Sequence, residues 1–218
     1  MLDPRELALR QEIIDTCRTL DARGINQGTS GNVSARWDAG MLITPSALPY
    51  DEMRPQDLAF LPLEGDEPSQ GPRPPSSEWR FHRDILASRS EVGAVVHTHS
   101  TYATALAILG ESIPAHHYMV AVSGGNSIRC APYATYGSAE LSQNALRALE
   151  GRTCCLLANH GVIATGPNLK KALWLAGEVE TLAKQCVIAR QLGEPYILSD
   201  EEMERVLEKF ADYRLSGD

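Results

Sequence analysis

Two histidines, His97 and His99, close the apolar run Ala94-Val95-Val96, and this arrangement constrains the chain more than any other. Ala-Val-Val reads as a buried β-strand. Residues two apart on a strand point to the same face, so both imidazoles aim at one spot. Two convergent imidazoles at the end of a buried strand are costly to leave unpaired, but they are good zinc ligands. A third histidine, His160, stands in a similar context, at the end of the strand-like run Cys154-Cys155-Leu156-Leu157-Ala158-Asn159-His160-Gly161. Three histidines with one open position is the layout of a catalytic zinc site rather than a structural one. The His-x-His pair alone is equally compatible with a chance pair on a surface strand.

The 218 residues suffice for one domain with a sizeable core. A formal net charge of −8 and a pI near 5.3 argue against nucleic acid or an anionic membrane as partner, but not against a small anionic substrate. No apolar run approaches the roughly 20 residues of a membrane span. The start Met1-Leu2-Asp3-Pro4-Arg5-Glu6 lacks the basic and apolar regions of a signal peptide, so a cytoplasmic location is expected. The five cysteines, with no CxxC spacing, fit neither a disulfide framework nor a thiolate zinc site. Cys154 and Cys155 read as small core residues of a central strand.

A helix opens the chain, with Asp3 as cap, Pro4 in the first turn, and Ile13, Ile14, Cys17 and Leu20 at helical spacing up to a stop near Gly24. Short strands over Asn32–Arg36 and Met41–Thr44 flank the turn Asp38-Ala39-Gly40. Glu64–Pro75 is rich in Pro, Gly, Ser and acids, and reads as an exposed loop. Ser76 or Ser77 then caps a helix to about Ser88. Further helices are expected over Thr101–Leu109, Ser138–Glu150 and Leu169–Leu192, with a last one from Ser199 or Asp200 to about Phe210. Strands interleaved with helices, and no linker, predict a single α/β layered domain over residues 1–218.

A metal site of this kind needs an acid or base close by. Glu78, in Ser76-Ser77-Glu78-Trp79-Arg80-Phe81-His82, stands in the first turn of its helix, where the macrodipole favours a negative group. A plain capping carboxylate is the competing reading. The hydroxyls of Ser76 and Ser77, with the free N–H groups of the helix start, form a natural phosphate pocket, although Ser-Ser is also an ordinary cap. The run Asn26-Gln27-Gly28-Thr29-Ser30-Gly31-Asn32-Val33-Ser34 has glycines that let backbone N–H groups approach an anion. It matches neither GxGxxG nor the P-loop. Thr44-Pro45-Ser46-Ala47 ends a strand and adds a hydroxyl.

Together these motifs, in this order, resemble the class II aldolase/adducin family, and within it the L-fuculose-1-phosphate aldolases. The shared blocks are Asn26–Ser34, Leu42–Met53, Pro75–His82, Val95–His99, Ile113–Met119, Gly124–Gly137, Asn159–Ala164, Lys171–Ala176 and Leu207–Tyr213, nearly the whole chain. The resemblance implies an αβα three-layer fold around a mixed, mainly antiparallel sheet. It implies that His97, His99 and His160 bind zinc (Mn2+ or Co2+ being alternatives), and that Glu78 completes the metal shell and acts as acid/base. Gly31, Asn32, Ser46, Ala47, Ser76 and Ser77 match the phosphate-binding positions. Tyr118 matches a tyrosine that enters a neighbouring subunit's site. Phe210 and Tyr213 match aromatic residues of a mobile C-terminal tail from about residue 208. The implied assembly is a C4 homotetramer with active sites at subunit contacts. Ala47 departs from a family glycine, Tyr136 replaces a phenylalanine, and the residues around His99 differ. His116 is an extra histidine beside His117, and both read as structural.

The implied reaction is reversible cleavage of L-fuculose 1-phosphate, or of 5-deoxyribulose or 5-methylthioribulose 1-phosphate, to dihydroxyacetone phosphate and a short aldehyde. A cation held by neutral imidazoles would stabilise the charge left when the C3–C4 bond breaks. Glu78 would move the proton on the dihydroxyacetone-phosphate carbon, and Tyr118 would serve the oxygen that becomes the aldehyde. No lysine lies near the histidine motifs to form a Schiff base. A sugar-phosphate dehydratase or 4-epimerase on the same fold is the alternative, although the family's epimerases usually carry aspartate at position 78. A non-enzymatic adducin-like module would lack the three histidines.

Overall fold

The computed structural model describes residues 3–65 and 69–215. Helix α1 (Pro4–Ala22) starts as its sequence predicts: the Asp3 carboxylate accepts from the Arg5 N–H at 2.7 Å, and Pro4 occupies the first turn. Strands β1 (Asn32–Trp37) and β2 (Gly40–Ile43) form an antiparallel hairpin through Asp38 and Ala39, with Asp38 at φ 48°. β3 (Ala59–Pro62) pairs with β2, then α2 (Trp79–Ser88) leads to β4 (Ala94–Thr98) and α3 (Thr101–Ile108). A 3-10 helix, Tyr118–Ser123, precedes β5 (Cys130–Ala131) and α4 (Ala139–Ala148). β6 (Cys154–Leu157) and β7 (Gly161–Gly166) form a second hairpin, followed by α5 (Leu169–Leu192) and α6 (Asp200–Leu215).

The seven strands form one sheet in the order β3-β2-β1-β4-β7-β6-β5, in which only the β5–β6 pair is parallel. The mixed, mainly antiparallel sheet expected from the resemblance is therefore present. Alternation along each strand divides the core in two. Ala94, Val96, Cys154 and Leu156 face the layer of α1, α3 and α5, while Val95, Cys155, Leu157 and Ile163 face α2 and α4. Cys154 and Cys155 are buried core residues on opposite faces of one strand.

Three expectations need correction. Neither Ser76 nor Ser77 caps α2; the capping position is Glu78, whose side chain accepts nothing from the helix. His160 does not extend its strand but sits in the tight turn between β6 and β7, where Asn159 adopts φ 54°. The last helix runs past Phe210 to Leu215. The short strands β3 and β5, and the glycine-bounded β7, were not legible because each lacks an alternating pattern of its own.

The antiparallel pairing of the central strands positions the site. Asn32 at the start of β1 is opposite His97 near the end of β4, and Thr98 is opposite Val162 at the start of β7. Helix α2 is fastened to the sheet by Phe81, Ile85 and Leu86, all buried. Replacing Ile85 by Ala removes that anchor and should destabilise the protein by about 2–5 kcal/mol. A lowered urea midpoint with an unchanged m-value would show it.

Candidate metal centre and anion pocket

The side chains of Glu78, His97, His99 and His160 offer four ligand atoms that all lie within 4.8 Å of one another. They come from the end of β4, the residue just beyond it, the β6–β7 turn and the start of α2. The Glu78 carboxylate is within 3.1 Å of His97 Nε2 and 2.9 Å of His160 Nε2, and the Nε2 atoms of His97 and His99 are 3.0 Å apart. The three imidazoles pack edge to face, with centroids 4.8–5.0 Å apart.

The hydrogen bonds behind the cluster fix how it can act. His97 Nδ1 is 2.8 Å from the Val162 carbonyl, which can only accept, so the proton sits on Nδ1 and the Nε2 lone pair faces the cluster. The Asn26 side chain accepts from the His99 N–H at 3.1 Å, pinning the backbone just beyond the strand. Gly161 permits the hairpin to approach: a Cβ there would stand 2.3 Å from the Thr98 carbonyl oxygen and 2.9 Å from the His99 ring.

Glu78 decides between the two readings of its position. Asp3, Ser138 and Asn168 all cap their helices with side-chain oxygens, whereas Glu78 turns away from its own helix and into the imidazoles. It is 6% exposed. Burial raises its pKa, but His97 and His160 outweigh burial and hold it below the ordinary carboxylate range. Burial, with His97 and His160 nearby, lowers His99 to about 4, so its imidazole is neutral at pH 7.

A divalent metal fits this arrangement. Oε1 of Glu78 is buried and lacks a well-directed hydrogen bond even though His160 Nε2 is 2.9 Å away. An ion between these atoms satisfies both. Tetrahedral zinc with ligands at about 2.0–2.1 Å sets ligand atoms roughly 3.4 Å apart, close to the separations here. Three imidazoles and a carboxylate suit zinc and its transition-metal neighbours rather than calcium or magnesium.

A cavity of about 330 Å³ opens beside the cluster. All six residues expected at the phosphate, Gly31, Asn32, Ser46, Ala47, Ser76 and Ser77, line it together with Glu78, His99 and His160. Its walls are tied together by backbone contacts. The Ser76 N–H donates to the Thr44 carbonyl, the Ser46 N–H donates to that of Pro74, and the buried Tyr50 hydroxyl donates to the Ser30 carbonyl at 2.6 Å. Gly31 has φ 78°, and a Cβ there would meet the His97 carbonyl oxygen at 2.6 Å. Ala47 has φ 55°, a left-handed conformation that favours glycine, which explains why a family glycine at this position is unsurprising.

Thr29, Ser30, Tyr133, Tyr136 and Asn159 also line the cavity. Of these Thr29 and Ser30 belong to the glycine-rich run, and Tyr136 stood out as a departure from a phenylalanine; Tyr133 and Asn159 lie on loops with no periodic signal. Tyr118 is not part of this cavity. It is half exposed on its 3-10 helix, stacked on His117 and edge-on to Phe210 of α6. The side chain of Tyr213 lies outside the described residues. His117 caps the 3-10 helix by accepting from the Met119 N–H, and His116 Nδ1 contacts the Pro114 carbonyl.

A layered sheet carrying three histidines and a carboxylate beside a cavity lined by serine hydroxyls and a glycine-rich loop fits a class of lyase, the class II aldolases. The family model for the class II aldolase and adducin N-terminal domain matches residues 11–187. The chain belongs to the class II aldolase/adducin family. It is 58% identical over 207 residues to a 5-methylthioribulose-1-phosphate/5-deoxyribulose-1-phosphate aldolase of Rhodospirillum rubrum, covering 95% of this chain and 93% of that protein. It is 50% identical to an L-fuculose phosphate aldolase of Escherichia coli, covering 95% and 96%. A solved L-fuculose 1-phosphate aldolase superposes with a TM-score of 0.89 at 42% identity, covering 97% of this chain and 98% of that one.

Two outcomes follow from the site. Gly161→Ala should lower zinc affinity by tenfold or more, read by competition with a chromogenic chelator, because the hairpin bearing His160 must retreat. His82, behind the cluster, is lowered to about 3 by burial first and by His97 second, against an ordinary value of 6.5. Above pH 6.5 His82 is neutral in both folded and unfolded states, and nothing is lost. As pH falls from 6.5 towards about 3, only the unfolded chain gains the proton, so the fold loses stability. In metal-free protein the drop in urea midpoint from pH 7 to pH 5 should shrink in His82→Gln.

Proposed function

We propose that the chain is a zinc-dependent ketose-1-phosphate aldolase. It would cleave a short deoxyketose 1-phosphate reversibly to dihydroxyacetone phosphate and an aldehyde. The observation that carries this is the joining of two features in one cavity: a buried metal cluster, and an anion pocket at the start of α2 lined by Ser76, Ser77, Gly31 and Ser46. A phosphate there holds the sugar so that its carbonyl end reaches the cluster, and this remote binding energy orients the reacting carbons. Similarity to the R. rubrum protein favours 5-methylthioribulose or 5-deoxyribulose 1-phosphate, and similarity to the E. coli protein keeps L-fuculose 1-phosphate beside them.

His97, His99, His160 and Glu78 would hold the ion, which when bound supplies a Lewis acid for the substrate's carbonyl and hydroxyl oxygens. Glu78 lies at the cavity wall and is ionised, so it has the position and the free lone pairs to take a proton from the three-carbon fragment and return it. Tyr118 is exposed and absent from its own chain's cavity, which supports a role across a subunit contact in a C4 homotetramer. There it would serve the oxygen that becomes the aldehyde, with Tyr213 in the tail from about residue 208 closing over substrate. The reading takes residues 1–218 as one domain in the cytoplasm. No helix among the described residues is long and apolar enough to cross a membrane.

Incubation with a panel of ketose 1-phosphates and coupled detection of dihydroxyacetone phosphate should give product from at least one of the three sugars. Activity should vanish on chelation and return with Zn2+, Mn2+ or Co2+. No product from any member would overturn the proposal. Glu78→Gln should lower kcat by about 10²–10⁴-fold while zinc still binds stoichiometrically; parental turnover would remove Glu78 from its role.

A further inference from the structure

Behind Glu78, on the side away from the cavity, lies a buried polar line that the reaction outlined above does not use. Asn32 and Ser34 are two apart on β1, and Glu78 and His82 are four apart at the start of α2, so each pair shares a face of its element. The two faces meet. Asn32 Nδ2 lies 2.9 Å from Glu78 Oε2, Asn32 Oδ1 lies 2.5 Å from His82 Nε2, and His82 Nδ1 lies 2.7 Å from Ser34 Oγ. Ser34 and His82 are fully buried, Asn32 is 5% exposed, and the line crosses a core otherwise made of Phe81, Ile85 and Val95.

The direction of each bond follows from its neighbour. An ionised carboxylate only accepts, so Asn32 must offer its N–H to Glu78 and turn its carbonyl oxygen to His82. That oxygen only accepts, so the His82 proton must be on Nε2. Nδ1 is then a bare acceptor, and the Ser34 hydroxyl donates to it. If His82 carried its proton on Nδ1, Nε2 would face the Asn32 oxygen without a proton. The amide would flip and set its oxygen against Glu78 at 2.9 Å, a repulsive contact in a buried place. The line thus also commits the Asn32 side chain, leaving one Nδ2–H for a phosphate.

We propose that His82, set by Ser34, is a positioning residue that locks the Asn32 amide so that its N–H, not its carbonyl, holds the Glu78 carboxylate. The inference rests on the aldolase reading for its kinetic consequence, but not for the proton position. Orientation is what the line contributes: Glu78 must keep one plane whether it touches the metal or the substrate, and Asn32 Nδ2 supplies a fixed partner to Oε2 throughout.

Two measurements test it. In zinc-loaded protein labelled with ¹⁵N-histidine, two-bond proton–nitrogen spectra at pH 7 should show His82 neutral, with Nε2 protonated and Nδ1 bare. A neutral Nδ1–H form, or a cationic ring, would overturn the proposal whether or not any sugar is cleaved. Kinetically, His82→Leu should lower kcat about 10–100-fold, the usual cost of losing a partner behind a metal ligand. KM and zinc stoichiometry should stay near parental values. His82→Gln keeps an N–H at the Nε2 position and should recover most of the loss. Parental kcat in His82→Leu, a loss confined to KM, or no recovery in a folded, zinc-replete His82→Gln would each sink it. If His82→Leu fails to fold, the proton position and the comparison of His82→Gln with parent still decide. Absence of cleavage by the parent itself would instead count against the aldolase reading alone.

Discussion

A carboxylate buried among three imidazoles is the interaction on which the rest of this structure depends. Glu78 takes the capping position of α2 and declines the helix's own N–H groups, so its charge must be compensated elsewhere. Asn32 does so on one side by donating its N–H, and on the other His97 and His160 bring ring nitrogens that a divalent metal would join to the carboxylate. An unpaired buried charge would cost several kcal/mol, and here the compensation falls to groups from three other parts of the chain. The start of α2, the beginning of β1, the end of β4 and the β6–β7 turn must all be in place before the carboxylate is tolerable. A metal ion bound there would complete that balance, because neutral imidazoles alone leave one carboxylate oxygen without a directed partner.

The antiparallel register makes the gathering possible. In a sheet ordered β3-β2-β1-β4-β7-β6-β5, the strand bearing His97 lies between the strands that begin at Asn32 and Gly161. Antiparallel neighbours place one strand's end beside the next one's beginning, so residues distant in sequence meet at one edge of the sheet. Two glycines make the closeness sterically possible. Gly31 and Gly161 lie where a side chain would collide with the backbone of β4 or with the ligating rings. The cavity lined by Gly31, Ser46, Ser76 and Ser77 opens immediately beside those strand ends, so under the proposed reading a sugar held there by its phosphate would present its other end to the cluster.

Much of this was legible from local pattern. The capped first helix, the Asn32–Trp37 hairpin strand and the long helix α5 match their periodicity, and the His-x-His spacing pointed to a metal. Local pattern was weakest where an element's character comes from its neighbours. β3 and β5 are short strands recognisable only by pairing, and β7 shows little alternation because both its faces are buried. Glu78 is the instructive case. As a residue near a helix start it looks like a cap, and only the direction of its side chain shows otherwise. His82 and Ser34 carried no signal, since a lone histidine on an amphipathic helix is indistinguishable from one that merely fills space.

Sequence alone determined the ligand types, the family resemblance and the helices whose spacing buries one face, because those depend on residue chemistry and short-range periodicity. Tertiary structure decided which atoms meet: that Glu78 faces imidazoles rather than its helix, that His160 arrives on a turn, and that Asn32 presents its N–H inward. The reason is physical. Hydrogen-bond direction and burial are properties of several chain segments at once, and no single segment contains them.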